Sequence, residues 1–250
     1  MLQVGRAPSR EALPMPDRDW EIDISRYELH RHPEPSATGE VAKTNEKLAD
    51  EQISVAETLH HAHSLIRASA PVLRVAQCSP YGLIIPVPGC VCVSVSRARL
   101  RRALLIMDAL IQCFERRGYS VACPVEDDEL CETRVSLMGV EVPFRIDEFL
   151  VEKGGGSPGM SAASESFRLH GPCRDGKVSL SGRLQLSIDE DRCNWCVRWK
   201  GFRLRWNDGK YQRVEDLLGA FVSETVRVAT FMKTKKEEYA KREQERQLEE

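Results

Sequence analysis

SRARLRRALLIMDALIQCFERRGY, Ser96 to Tyr119, is the stretch whose reading decides the fold. Leu100, Ala103, Leu104, Met107, Leu110, Ile111 and Phe114 recur at the i, i+3, i+4, i+7 spacing of one buried helical stripe. Ser96 stands where an N-cap hydroxyl would accept from the free N–H groups of a first turn. Gly118 stands at C′, where a helix ends in the left-handed conformation. Arg116 and Arg117 complement the helix dipole, whereas Arg97, Arg99, Arg101 and Arg102 oppose it. Cations gathered at a helix start form either a solvated face or a phosphate site, since the N–H groups there point the same way.

Downstream, Tyr119–Val125 reads as a strand and the acidic EDDE as a turn. Thr133–Leu137 and Val140–Ile146 form the clearest hairpin, with Val135, Leu137, Val140, Val142, Phe144 and Ile146 on one face across Met138–Gly139. Pro143 should point outward and mark an edge strand. Val178, Leu180, Leu184, Leu186 and Ile188 alternate inward along a further strand. Its partner, 196–206, shifts phase at Gly201, which implies a bulge and puts Phe202, Leu204 and Trp206 inside. After the NDG turn (207–209) a last helix begins near Tyr211, burying Val214, Leu217, Leu218, Phe221, Val222, Thr225 and Ala229.

Upstream, 82–95 is apolar and β-branched, and Cys90–Val95 reads as a strand leading into the long helix. Residues 52–69 read as a helix with Ile53, Ala56, Leu59, Ala62 and Ile66 buried, stopped by Pro71. Residues 1–50 are rich in proline and charge and read as an irregular segment and linker. The expected organisation is that segment, one α+β domain over 51–232, and a charged helical extension over 233–250. The fold class is α+β: an antiparallel β-meander of about five strands packed against the long central helix and a C-terminal helix.

No apolar run approaches the ~18 residues of a membrane span, and the first residues lack the apolar core of a secretory signal. A membrane partner is therefore not expected. Nine cysteines, an odd number at irregular spacing, do not form a disulfide framework, and reduced thiols in a cytoplasmic compartment are expected. A net charge of −2 gives no global attraction to nucleic acid. Charge is uneven along the chain, however. Seven bases against Asp208 over 192–213 allow a locally basic face.

That face is the best functional lead. With the bulge counted, Arg198, Lys200, Arg203 and Arg205 share the outer side of one strand, beside Trp195 and Tyr211. Cations there would track phosphates and aromatics would stack on bases of DNA or RNA; the alternative is a sheet face kept wet by charge. The cluster Arg97, Arg99, Arg101 and Arg102 is the second candidate. Cys193-Asn-Trp-Cys196 is a lone CxxC without the second pair that zinc needs. His60, His61 and His63 lack metal-ligand spacing, so neither a metal nor a cofactor is expected. A restriction-type nuclease needs an acid-x-Lys on its third strand to hold Mg²⁺, and Glu141-Val-Pro143 supplies no lysine. Phosphate-loop, dinucleotide and serine-elbow motifs are missing. The tail KTKKEEYAKREQERQLEE is helix-favouring and nearly all charged, a surface for self-association or for another protein, with few apolar positions for a coiled coil.

RRALLIMDALIQCFERRGYSV (101–121), MGVEVPFRIDE (138–148), SGRLQLSI (181–188), RWNDGKYQRVEDLLGAFV (205–222) and the charged tail together resemble a family of uncharacterised bacterial proteins often met on mobile elements. The resemblance covers roughly residues 80–235. Longer members carry an N-terminal helix-turn-helix-like segment ending in something similar to LQVGRAP. It implies that residues 1–10 are the tail of a DNA-binding module and that the chain is a truncated version. It implies no activity and no residue roles. The expectation is a non-catalytic nucleic-acid-binding or DNA-binding-accessory protein, with an interaction module next and a nuclease last.

Overall fold

The computed structural model describes residues 53–125, 131–152, 160–161, 178–189 and 201–249, all within the unit Gly39–Glu250. In chain order they form α1 (Ser64–Val75), β1 (Val93–Ser94), α2 (Arg97–Arg116), β2 (Ser120–Ala122), β3 (Thr133–Leu137), β4 (Val140–Glu152), β5 (Met160–Ser161), β6 (Val178–Ile188), β7 (Arg205–Asn207), a 3-10 turn (Val214–Leu217) and α3 (Leu218–Glu249).

Helix α2 forms where the periodicity places it, and all seven stripe residues are buried. Its end is a full Schellman motif. Gly118 sits at φ +80°; its N–H donates to the Glu115 carbonyl and the Tyr119 N–H to that of Phe114. Burial extends past the stripe to Ile106, Asp108, Ala109 and Cys113, because α1 and the sheet both pack on α2. Ser96 is the N-cap residue, but its hydroxyl makes no capping bond. Its own N–H donates instead to Glu148 Oε2 at 2.8 Å.

The sheet is ordered β2-β3-β4-β6-β7, with β1 and β5 also paired to β4. Every pairing is antiparallel except β1 with β4, which is parallel. This is an α+β fold, and its hub is the long strand β4. Val135, Leu137, Val142, Phe144, Ile146, Leu184, Leu186, Ile188 and Trp206 join α2 and α3 in one core. Its centre is aromatic: Phe114 of α2, Phe144 of β4 and Phe221 of α3 lie 5.8–6.5 Å apart between ring centroids. Trp206 meets Phe221 edge-on at 4.9 Å, a favoured geometry. All seven apolar-stripe residues expected of the last helix are buried, Val214 and Leu217 in the 3-10 turn and the rest in α3.

Four local expectations are corrected. Pro143 does not mark an edge: β4 is interior, and Pro143 is buried. Its carbonyl accepts from the Asp189 N–H at 2.9 Å, so the donor it lacks points just past the end of β6, where no ladder bond is needed. The helix expected over 52–69 begins only at Ser64 and contains Pro71. Its start is set by His63, whose N–H donates to Asp108 Oδ1 at 2.7 Å and whose ring accepts from the Leu65 N–H. Leu180 is exposed, because the β4–β6 register shifts between Glu148 and Leu150 and the strand leaves the core beyond Gly182. Finally, β7 is only three residues long. Gly201 does hold a left-handed φ of +72°, and Leu204 and Trp206 are buried with Phe202 packed on the core, yet 202–204 run as irregular chain. Residues 196–200, with Arg198 and Lys200, lie outside the described residues, as do Trp195, Cys193 and Cys196.

Among the described residues no helix is long and apolar enough to cross a membrane.

Candidate functional site

The four arginines at the start of α2 diverge. Arg97 donates to the carbonyls of Arg74 and Ala76 and thereby satisfies the C-terminal end of α1. Arg101 donates to the Glu57 carbonyl at 2.6 Å. These two are tied to the segment that precedes them. Arg99 and Arg102 turn the other way, toward the turn that follows β7.

Arg102 is held by two carboxylates. Its Nη1 and Nη2 reach Asp208 Oδ2 and Oδ1 at 2.6 and 2.8 Å, and its Nε and Nη2 reach Glu215 Oε1 and Oε2 at 2.7 and 2.5 Å. Both are bidentate forks, the geometry that guanidinium alone provides. The hydrogen bonds from Glu215 and then Asp208 push the Arg102 pKa further up. Asp208 also accepts from the backbone N–H groups of Leu184, at 2.8 Å, and Val214, at 3.0 Å. Burial alone would raise the Asp208 carboxyl, but these four donors outweigh it and hold it below its ordinary value. One aspartate thus joins α2, β6, the end of β7 and the 3-10 turn.

Around this clamp lies a cleft of about 360 Å³. Arg99 and Arg102 come from α2, Arg183 from β6, and Lys210 and Arg213 from the turn after β7. Asp208 is the one carboxylate in its lining, and Arg102 covers it. Gly182 sits at φ +71°, and a Cβ there would stand 2.7 Å from Arg99 Nη2; glycine lets the arginine lie against β6. The Gly182 N–H donates to Glu148 Oε1 at 2.9 Å, so buried Glu148 joins β6 to the start of α2. The protein's own carboxylate thus occupies that helix start. Tyr211 closes the outer rim, 89% exposed, with Lys210 Nζ 5.1 Å from its ring centroid.

Of the other described candidates, Arg205 lies on β7 and Arg203 in the irregular chain before it. Arg205 alternates with core Trp206 and so occupies the sheet face away from the helices. Arg203 sits over the Trp206 ring at 5.3 Å and donates to the Arg205 carbonyl at 3.2 Å. The outer face beside them is polar and closed. Register aligns Asp147, Gln185 and Asn207 in one row and Arg145, Ser187 and Arg205 in the next. Gln185 donates to Asn207 Oδ1 at 2.7 Å, and Arg145 Nε lies 3.3 Å from Asp147 Oδ2. Asp147 is 2% exposed. Its burial, opposed by the charge of Arg145, pushes its carboxyl up to about 6.

The structure therefore brings Arg99 and Arg102 together and sets Arg203 and Arg205 apart from them, just before and at the start of β7. It adds Arg183, Lys210 and Arg213, which periodicity did not single out. Lys210 and Arg213 belong to the basic run 192–213, but only the chain reversal at NDG folds them back toward α2. Glu141, the acid of the nuclease reading, pairs with Arg134 at 3.1 Å and is half exposed. His63 Nε2 lies 3.0 Å from Glu115. Among the described residues no three His, Cys, Asp or Glu side chains converge as a metal-ligand set, and six cysteines are unbridged.

Comparison of the chain with family models, with curated proteins and with solved structures finds no match.

Proposed function

We propose that this is a non-catalytic nucleic-acid-binding protein of the bacterial cytoplasm, an accessory to a DNA-binding module of the kind its mobile-element resemblance implies. The observation that carries the reading is the cleft, where Arg99, Arg183, Lys210 and Arg213, from three chain segments, surround the clamp in which Arg102 is shared by Asp208 and Glu215. No ion pair holds Arg99, Arg183, Lys210 or Arg213 among the described residues. Four cations facing one concavity repel each other, an arrangement that a polyanion relieves. Phosphate contacts are the sequence-independent source of such affinity. Net charge near neutrality restricts the attraction to this local field.

The test is oligonucleotide binding by fluorescence anisotropy at low salt. Wild type should bind, and Arg183→Ala/Lys210→Ala/Arg213→Ala should lose at least about tenfold in affinity. Arg97→Ala/Arg101→Ala should bind as wild type. No binding at low salt would sink the reading.

A second reading, self-association or a protein partner through α3, has its own observation. The helix continues to Glu249 with Tyr239 and Leu248 exposed. Light scattering on the chain with and without 233–250 decides it: a mass that falls to the monomer on truncation supports it, and an unchanged mass rejects it.

A further inference from the structure

We infer that the ligand of this cleft is a single strand, with one phosphate seated among Arg99, Arg183 and Lys210 and a neighbouring base stacked on Tyr211. The inference rests on the nucleic-acid reading above and narrows it.

Three observations carry it. The first is shape. Duplex readers present a convex element, a helix or a β-ribbon, to a major groove roughly 12 Å wide. Here the cations line a half-open concavity of about 360 Å³, so the ligand is met by a recess and not by a protruding element. A flexible strand can place one nucleotide in such a recess, whereas a paired, stacked duplex offers it only backbone phosphates. The second is Tyr211. Its ring is 89% exposed, adds nothing to the core, and stands on the rim of the cationic site. Lys210 Nζ, 5.1 Å from the ring centroid, covers one side and leaves the ring available on the other. Base–aromatic stacking beside a phosphate-tracking groove is how proteins hold single strands without reading sequence. The third is rigidity. Arg102 is locked by four hydrogen bonds to Asp208 and Glu215, so the floor is preformed. Arg99 lies against Gly182, where a Cβ would displace it.

The experiment compares a labelled oligothymidylate of about 15 nucleotides with a duplex of the same length, on the full chain at low salt. The single strand should bind at least about tenfold tighter. Tyr211→Ala should weaken single-strand binding about tenfold and leave duplex binding unchanged, whereas Tyr211→Phe should keep the wild-type affinity. Gly182→Ala should weaken both. Equal or tighter duplex binding, or a Tyr211→Ala variant that binds the single strand like wild type, would overturn the inference. Duplex binding that depends on Arg183, Lys210 and Arg213 would leave the cleft as a nucleic-acid site and remove only the single strand. If neither oligonucleotide binds, both readings fall. Because Tyr211 makes no core contact, near-native circular dichroism is expected for both of its variants, and a loss of binding cannot be attributed to unfolding.

Discussion

Two arginine–aspartate pairs, one between α2 and the end of β7 and one within β4, behave in opposite ways. Arg102–Asp208 lies at the end of the β6–β7 ladder, partly open to solvent. Asp208 receives four donors and its carboxyl is held low. Arg145–Asp147 lies within the outer face of β4, closed off from water. Asp147 meets its arginine at 3.3 Å without a hydrogen bond to Oδ2, and burial raises it to about 6. The same two residue types thus give a carboxyl held low in one place and one pushed up in the other. Desolvation wins at Asp147, where the Asp189 charge adds to it, whereas four donors outweigh it at Asp208. The first pair can brace an open cationic cleft because its charge is already satisfied. The second is buried by the fold.

The largest break in this comparison is expected at the clamp. Asp208→Ala should destabilise the protein by about 3 kcal/mol, since it orphans two backbone N–H groups and half of the Arg102 fork. Urea unfolding at neutral pH measures it. Loss below about 1 kcal/mol would show that Asp208 is not the joint described here.

The next effect is in pH. Asp147 has a folded value near 6 against an ordinary 3.8, so the native state holds a proton that the unfolded chain has lost. Its contribution is therefore most favourable below about pH 4 and declines as pH rises to about 6, by up to ~3 kcal/mol. Asp208 has the opposite sign. Its folded value is lowered, so its stabilisation is present above the ordinary carboxylate range and is lost as pH falls through the folded value. Unfolding series between about pH 3 and 7 should lose the first slope in Asp147→Asn and the second in Asp208→Asn. Unchanged profiles in both would contradict the contrast.

A smaller effect sharpens the geometry. Arg102→Lys keeps the charge but loses both forks, and should cost about 1–2 kcal/mol. Smallest of all, Arg205→Ala on the outer face should change oligonucleotide affinity by less than about threefold, against at least about tenfold for the cleft triple variant. An equal loss from Arg205→Ala would move the interface to the β7 face.

Much of this fold is legible in the chain because burial enforces periodicity. The α2 stripe, the Gly118 terminus, the β3–β4 hairpin face and the buried positions of the last helix all rest on apolar spacing, which tertiary packing rewards directly. Pro143 does not reveal the interior place of β4, since its missing donor is harmless only where the neighbouring strand ends opposite it, a fact of pairing and not of local sequence. The start of α1 depends on Asp108, 45 residues away from His63. The site was harder still. Arg97, Arg99, Arg101 and Arg102 look alike in sequence, and their partners, in other chain segments, send two to α1 and its approach and two to the cleft. Arg183, Lys210 and Arg213 become neighbours of α2 only through the Asp208 joint, which no spacing rule marks.

The salt dependence of oligonucleotide affinity reports whether phosphates meet the cations of this cleft. Each single-strand phosphate neutralised contributes about 0.7 to the slope of log affinity against log salt. Arg99→Ala/Arg183→Ala/Lys210→Ala should lower the slope by about 0.7 relative to wild type, the share of the one phosphate seated among them, while Arg97→Ala/Arg101→Ala leaves it unchanged. A wild-type slope retained in the cleft variant would contradict that seating.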